Sequence, residues 1–129
     1  MREILFRGKN VDGGEWKYGH YVFQYGCKQI YLPEGTDSEY GCDYYHVDPA
    51  TVGQYTGLTD KNGKKIFEGD IVRGKDALIP EMNIFGYISH ENGSFVIIGN
   101  IMHHYRWLDY DVEVIGNIHD NPELLEEEE

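Results

Sequence analysis

The chain has few cysteines, no long apolar run and few basic residues, and each shortage argues against a class of function. It has two cysteines, Cys27 and Cys42, among 129 residues. A bridge between them would stabilise the fold by about 3 kcal/mol. No secretory leader precedes the first predicted strand, so we expect two thiols in a cytoplasmic protein. No apolar run approaches the roughly 20 residues that span a bilayer, so no membrane partner is predicted.

Basic residues are the third shortage. The chain has 11 Lys and Arg against 23 Asp and Glu, for a net charge of −12. Five of the acidic side chains lie in the last seven residues (Glu123, Glu126, Glu127, Glu128 and Glu129). Binding to duplex nucleic acid depends on cations that displace counterions from phosphate. Direct nucleic-acid binding is therefore not expected, and an acidic surface is better suited to basic proteins or to solubility alone.

The chain is rich in strand and turn signals. Apolar residues make up 40% of it, and a chain of this size buries about two-thirds of its unfolded surface without metal or disulfide support. We predict a mostly β fold with an N-terminal β-rich part over residues 1–56. Its strands are expected at 4–6, 16–23, 29–32 and 44–47, with a turn at Asp12-Gly13-Gly14 and a surface loop from 34 to 45.

Two Asn-Gly pairs mark hairpins in the second half. Such pairs favour type I′ turns, which need positive φ at both central residues. A two-residue loop at Asn62-Gly63 places Asp60 opposite Lys65, and one at Asn92-Gly93 places Ile88 opposite Ile97. Together with a turn at 68–70 and a final strand at 112–119, about five strands follow residue 66. This count predicts a small SH3-like barrel over 57–121, then a short helical turn at Pro122 and an acidic tail over 122–129.

The segment TVGQYTGLTDKNGKKIFEGDIV, residues 51–72, resembles the YopX family, which is found largely in bacteriophages and prophages. REILFRGK and GEWKYG near the start and VIGNIHDNPELLE near the end extend the resemblance. It implies a β-rich N-terminal part followed by an SH3-like barrel, no established enzymatic activity, and homo-oligomerisation. The signature consists largely of turn residues, whose physical role is backbone geometry: Gly53, Gly57, Asp60, Asn62, Gly63, Gly69 and Asp70.

No cluster of residues predicts catalysis, a cofactor or a metal. A zinc site could be sought in His20, Cys27, Cys42 and His46, but the cysteines lack CxxC spacing. A Cys-His nucleophile would need Cys27 or Cys42 beside His46 or His20, and no oxyanion motif flanks the cysteines. His103 and His104 would point to opposite faces of a strand. The glycines at 53 and 57 lack the Walker lysine. We therefore predict no enzyme, while a hydrolytic or metal-dependent enzyme remains an alternative.

Eleven tyrosines give the strongest functional signal. Tyrosine is enriched at interfaces because it joins a large contact area to a polar tip. The alternative is that the rings pack in the sheets and expose only their hydroxyls. The leading hypothesis is a non-catalytic protein-interaction or assembly module, and the rival is an acidic decoy for a basic host protein. The predicted binding residues are Tyr18, Tyr21, Tyr25, Tyr31, Tyr44 and Tyr45.

Overall fold

A computed structural model describes residues 4–24, 26–31, 44–76, 81–99, 103–104 and 110–127. The fold is mostly β, which confirms the predicted class. Within the described residues, one short α-helix lies near the C-terminus and one 3-10 turn spans Pro49–Thr51. The elements are β1 (Phe6–Lys9), β2 (Trp16–Gln24), β3 (Cys27–Tyr31), β4 (Tyr44–His46), β5 (Gly53–Thr59), β6 (Lys65–Phe67), β7 (Asp70–Asp76), β8 (Asn83–Glu91), β9 (Ser94–Ile98), β10 (His103–His104), β11 (Tyr110–Asn117) and α1 (Glu123–Glu127).

The strands pair antiparallel in two orders. One is β4-β3-β2-β1-β5-β6 and the other is β10-β9-β8-β7-β11. Among the residues described, the second order is open, and the predicted closure into an SH3-like barrel stays a prediction. No described helix has the length and apolar character of a membrane span.

The chain divides into two compact units, Met1–Tyr55 and Thr56–Glu129, here called the N-terminal and C-terminal units. The division falls inside β5, whose first residues pair with β1: Gly53 lies opposite Arg7 and Gln54 opposite Phe6. Most of the predicted surface loop at 34–45, including Cys42, lies outside the described residues, but its last two residues already belong to β4.

The N-terminal unit is built around the long strand β2. Its first four residues pair with β1 and its last five with β3. Gly19 stands at this change of partner, where a Cβ atom would overlap the carbonyl oxygen of Tyr31. Close approach of the strands therefore requires glycine there. Of the residues described in this unit, Ile30 and Val47 are the buried aliphatic ones, and Val47 packs on Gly8.

The C-terminal unit has the larger aliphatic core. Val96 and Ile97 are successive residues of β9 and both are fully buried. Because successive side chains point to opposite faces, this strand is covered on both sides, as its sequence predicts. The core is a cluster of six buried residues: Ile66, Val72, Ile84, Ile88, Ile97 and Val112. Four partly buried residues pack against it: Leu58, Met82, Phe95 and Val114.

The predicted two-residue turn is confirmed at one Asn-Gly pair and is wrong at the other. Asn92 and Gly93 both have positive φ, 51° and 81°, and Ile88 lies opposite Ile97 as predicted. At Asn62-Gly63, only the glycine has positive φ, and Asp60 pairs with Lys64, not with Lys65. This loop has three residues and is a type I turn closed by a left-handed glycine, so the predicted two-residue register is wrong.

Gly86→Ala is predicted to destabilise the C-terminal unit without changing any polar contact. A Cβ at this position would overlap the carbonyl oxygen of Ile98 on the neighbouring strand and crowd Ile97. Overpacking against backbone costs about 3 kcal/mol, and urea denaturation measures it. Ser94→Ala, at an exposed position of β9, is the control and should stay within about 0.5 kcal/mol. Equal stabilities of the two variants would contradict the close approach of β8 and β9.

Candidate functional site

The buried carboxylate of Asp60 organises the most specific part of the signature. Its side chain is 7% exposed. Oδ1 accepts hydrogen bonds from the backbone N–H groups of Asn62 and Lys64, at 2.8 and 2.9 Å. An aspartate that accepts from the residue two positions on closes an Asx turn. Asp60 therefore shapes the loop between β5 and β6.

The same carboxylate reaches a strand 54 residues away. Oδ2 accepts from the backbone N–H of Val114 at 2.9 Å, and the N–H of Lys61 donates to the carbonyl of Val112 at 3.0 Å. These two groups lie on the edge of β11, the last strand of its sheet order. An exposed strand edge is a template for aggregation, and the Asp60 loop covers this one.

The environment of Asp60 shifts its pKa in two opposing directions. Burial raises the pKa by desolvating the charged form, but the backbone hydrogen bonds from Val114, Lys64 and Asn62 outweigh it and leave the pKa lowered. Hydrogen bonds to a carboxylate favour its charged form. The Asp60 side chain is therefore held as an anion by the backbone of its own unit.

Gly69 and Asp70 form a second junction in the C-terminal unit. Gly69 has a φ of 94°, donates its N–H to the carbonyl of Ile88 at 2.8 Å and accepts from the N–H of Ile118 at 2.9 Å. Asp70 is 1% exposed and accepts from the backbone N–H of Phe67 at 2.8 Å. These signature residues hold strands and turns together through backbone contacts.

The tyrosines predicted to form an interface fall on two faces of the N-terminal sheet. Cross-strand partners share a face, and His20 lies opposite Tyr31, which lies opposite Tyr44. Tyr18 and His46 stand two residues away along their strands, on the same side. We call this set the aromatic face: Tyr18, His20, Tyr31, Tyr44 and His46. Tyr25 lies outside the described residues.

Three rings of the aromatic face pack against each other, and four of its five residues are exposed. Tyr31 and Tyr44 are stacked with ring centroids 5.1 Å apart, and His46 meets Tyr44 edge-on at 5.6 Å. Tyr18 is 43% exposed and Tyr44 39%, and both histidines are exposed. Preordered aromatic side chains lose little entropy on binding, which favours a contact surface.

Two cations border the aromatic face. Arg7 lies opposite Tyr18 on β1, and its guanidinium carbon is 4.5 Å from the ring centroid of Trp16. The Lys9 ammonium is 5.7 Å from the same ring. Cation–π contacts of this kind contribute about 0.5–1 kcal/mol each. Arg7 is buried, with 4% of its surface exposed, so Lys9 is the cation of this pair that stays partly accessible.

The other face of the sheet holds Tyr21 and Tyr45. Tyr21 packs on Phe6 with centroids 5.6 Å apart, and Tyr45 lies under the Lys17 ammonium at 4.1 Å. Phe23, on this face, is 63% exposed. The six tyrosines therefore do not form one surface.

Among the described residues, the strand register separates Cys27 from His20, whereas His46 lies opposite Gln29, two residues along β3 from Cys27. Cys27 is a free thiol and lies four residues along the ladder from the His20–Tyr31 pair, about 13 Å at the rise of a strand. The His46 ring contacts Tyr44. Over the described ranges, no group of three or more His, Cys, Asp or Glu side chains could hold a metal ion.

A model of the YopX protein family matches residues 5–126, which covers both units. The chain belongs to the YopX family. No curated protein matches it.

The most specific part of the YopX signature contains the Asp60 loop and the Gly69-Asp70 junction. Sequence reasoning identified these as turn residues, but it missed the bond from Asp60 to Val114, because nothing local to residue 60 indicates a partner on the final strand.

Asp60→Asn is predicted to destabilise this YopX protein by about 2–3 kcal/mol. The amide still offers one oxygen to the loop, but its NH2 group meets the Val114 N–H, and a buried donor is left unsatisfied. Urea denaturation measures the loss. Asp111→Asn, at an exposed position of β11, is the matched control and should change stability by less than about 0.5 kcal/mol. A loss no larger than the control's would rule out the bridging role of Asp60.

The contribution of Asp60 is also predicted to depend on pH. Because its pKa is lowered on folding, its stabilisation is fully present above the unfolded pKa of about 4 and is lost as pH falls through the lower folded value. The difference in unfolding free energy between the native chain and Asp60→Asn should shrink as the pH falls from about 5 to about 2. A constant difference over that range would show that the charge is not involved.

Proposed function

We propose that this YopX protein is a non-catalytic protein-interaction or assembly module, acting in the cytoplasm of a bacterium that carries a phage or prophage. Its contact surface is the aromatic face of the N-terminal unit. The contacts that Asp60, Gly69 and Asp70 make with backbone groups support a structural role for these signature residues. The contact surface then belongs to the other unit.

The observation that carries the proposal is the position of the exposed apolar residues. Among the described residues, the large hydrophobic side chains that stay exposed all lie in the N-terminal unit: Ile4, Val11, Tyr18, Phe23 and Tyr44. Single exposed apolar residues are ordinary on protein surfaces, whereas grouped ones mark interaction sites. Tyr18 and Tyr44 belong to the aromatic face, beside two exposed histidines.

An acidic decoy for a basic host protein is the second candidate. Residues 56–129 contain fifteen acidic and six basic side chains, so the C-terminal unit carries most of the negative charge. Its association with a basic partner would weaken steeply as salt is added, because exposed charges are screened within about 10 Å at 0.1 M salt. An aromatic contact depends far less on salt.

Tyr18→Ser combined with Tyr44→Ser is predicted to weaken partner binding by the full chain. Interface tyrosines often contribute 1 kcal/mol or more each, so the double variant should bind at least about tenfold more weakly. Light scattering on the purified chain and quantitative pull-down from host lysate measure self-association and partner capture.

Phe23→Ser, which removes an equally exposed ring from the opposite face, is the matched control and should bind as the native chain does. A strict monomer that retains no partner would contradict the proposal. Loss of binding in Phe23→Ser, with the tyrosine variant unaffected, would place the contact on the other face.

A further inference from the structure

The C-terminal unit contains two Asn-Gly pairs, and the fold gives them different surroundings. Asn62-Gly63 lies in the three-residue loop between β5 and β6, whereas Asn92-Gly93 forms the two-residue turn between β8 and β9. All four residues are exposed. Access of solvent therefore does not distinguish the two pairs, and a difference in their chemistry must come from the backbone around them.

Asparagine is chemically labile, and it is most reactive when glycine follows it, because glycine has no Cβ to obstruct attack on the side chain. The glycine backbone nitrogen loses its proton to hydroxide and attacks the asparagine Cγ. The side-chain amide takes up a proton and leaves as ammonia, and a five-membered succinimide remains. Water then opens the ring at one of its two carbonyls, which gives aspartate or isoaspartate. The reaction needs only water, a glycine N–H that is not held in a hydrogen bond, and a backbone that can turn toward the side chain.

The nitrogen of Gly63 is held by the Asp60 loop. Its N–H donates to the carbonyl of Asp60 at 2.9 Å, the bond that closes the type I turn. The N–H groups of Asn62 and Lys64, on either side, both donate to Asp60 Oδ1, at 2.8 and 2.9 Å. The peptide bond that would have to turn toward the Asn62 side chain is therefore fixed at both ends.

Gly93 occupies a different position in its turn. Glu91 and Ser94 pair across the ladder and close the two-residue loop, and the N–H of the second loop residue has no part in that pairing. Among the described residues, neither the Gly93 N–H nor the Asn92 side chain forms a hydrogen bond. The reacting nitrogen and the reacting side chain are thus both available at the tip of this hairpin.

We propose that Asn92-Gly93 is a site of spontaneous deamidation in the folded protein, and that the Asp60 loop protects Asn62-Gly63 from the same modification. The substrate is the chain itself and the co-reactant is water. This inference is independent of the proposed contact surface, because the hairpin tip belongs to the C-terminal unit and the aromatic face to the N-terminal unit.

The two products differ in their structural effect. Aspartate leaves the main chain unchanged and tolerates the left-handed conformation of Asn92, whose φ is 51°. Isoaspartate inserts the side-chain methylene into the main chain, so the turn no longer matches the two-residue loop that sets the register of β8 and β9. Both products add a negative charge to the acidic C-terminal unit.

The test is incubation of the purified full chain at mildly alkaline pH and at a temperature below its unfolding transition. Peptide mapping by mass spectrometry, with digestion at acidic pH to suppress further reaction, follows asparagine, aspartate and isoaspartate at both pairs. Asn92 should deamidate at least about tenfold faster than Asn62, because attack by the Gly63 nitrogen first requires the loop hydrogen bonds to open. In guanidinium chloride, where the fold is lost, the two rates should converge.

Asp60→Asn tests the cause of the protection. Loosening the loop should speed the reaction at Asn62 by at least about threefold and leave the rate at Asn92 unchanged, because Asn92 reacts from the folded state. Asp111→Asn, at an exposed position of β11, is the matched control and should change neither rate.

Equal rates at the two pairs in the native chain, or a faster reaction at Asn62, would overturn the inference. A rate ratio that persists in guanidinium chloride would overturn it as well, because the difference would then come from the neighbouring Lys64 and Ser94 and not from the fold. If Asp60→Asn does not fold, the comparison of the native chain with and without denaturant still decides between these outcomes.

Discussion

The carboxylate of Asp60 is the interaction on which the C-terminal unit most depends. It accepts three backbone hydrogen bonds, two from its own loop and one from Val114. The loop and β11 are far apart in sequence, so neither can hold the other in place by local preference. A buried anion is tolerated only when its lone pairs are satisfied. The loop and the packing of the final strand against it therefore form together.

This link also explains why the unit can end its sheet with a strand of eight residues. An uncovered edge of that length invites pairing with another chain. The Lys61 N–H donates to the outward-facing carbonyl of Val112, and the Asp60 carboxylate accepts from the outward-facing N–H of Val114. The bulge between Val114 and Gly116 interrupts the hydrogen-bond ladder between β7 and β11 beyond these residues. The strands behind this edge enclose the aliphatic core of the unit.

Much of this architecture could be predicted from the sequence, and the failures have physical causes. Asn92-Gly93 met its prediction because both residues adopt positive φ and the flanking apolar residues set the register. Asn62-Gly63 did not, because Asp60 closes an Asx turn and draws the loop into three residues, a competition that the dipeptide alone does not reveal. The prediction of one tyrosine interface is not met on a single face, because strand alternation places Tyr21 and Tyr45 on the face opposite Tyr44. Which residues share a face depends on the strand pairing across β2, β3 and β4, and amino-acid composition does not determine that pairing.

The two units therefore divide the work of the molecule. In the C-terminal unit the turn residues of the family signature secure strands to one another, and in the N-terminal unit exposed rings form the proposed contact surface. The difference follows from where polar groups end up: the signature carboxylates accept from backbone N–H groups inside the fold, whereas the tyrosines and histidines of the aromatic face meet solvent.

Native-state hydrogen exchange at the Val114 amide tests the role of Asp60 most directly. If the carboxylate joins the loop to β11, this edge amide should exchange as slowly as the amides of the central strands β7 and β8, and only through opening of the whole unit. Exchange of Val114 at the rate of an exposed strand edge, with the central strands still protected, would contradict the account.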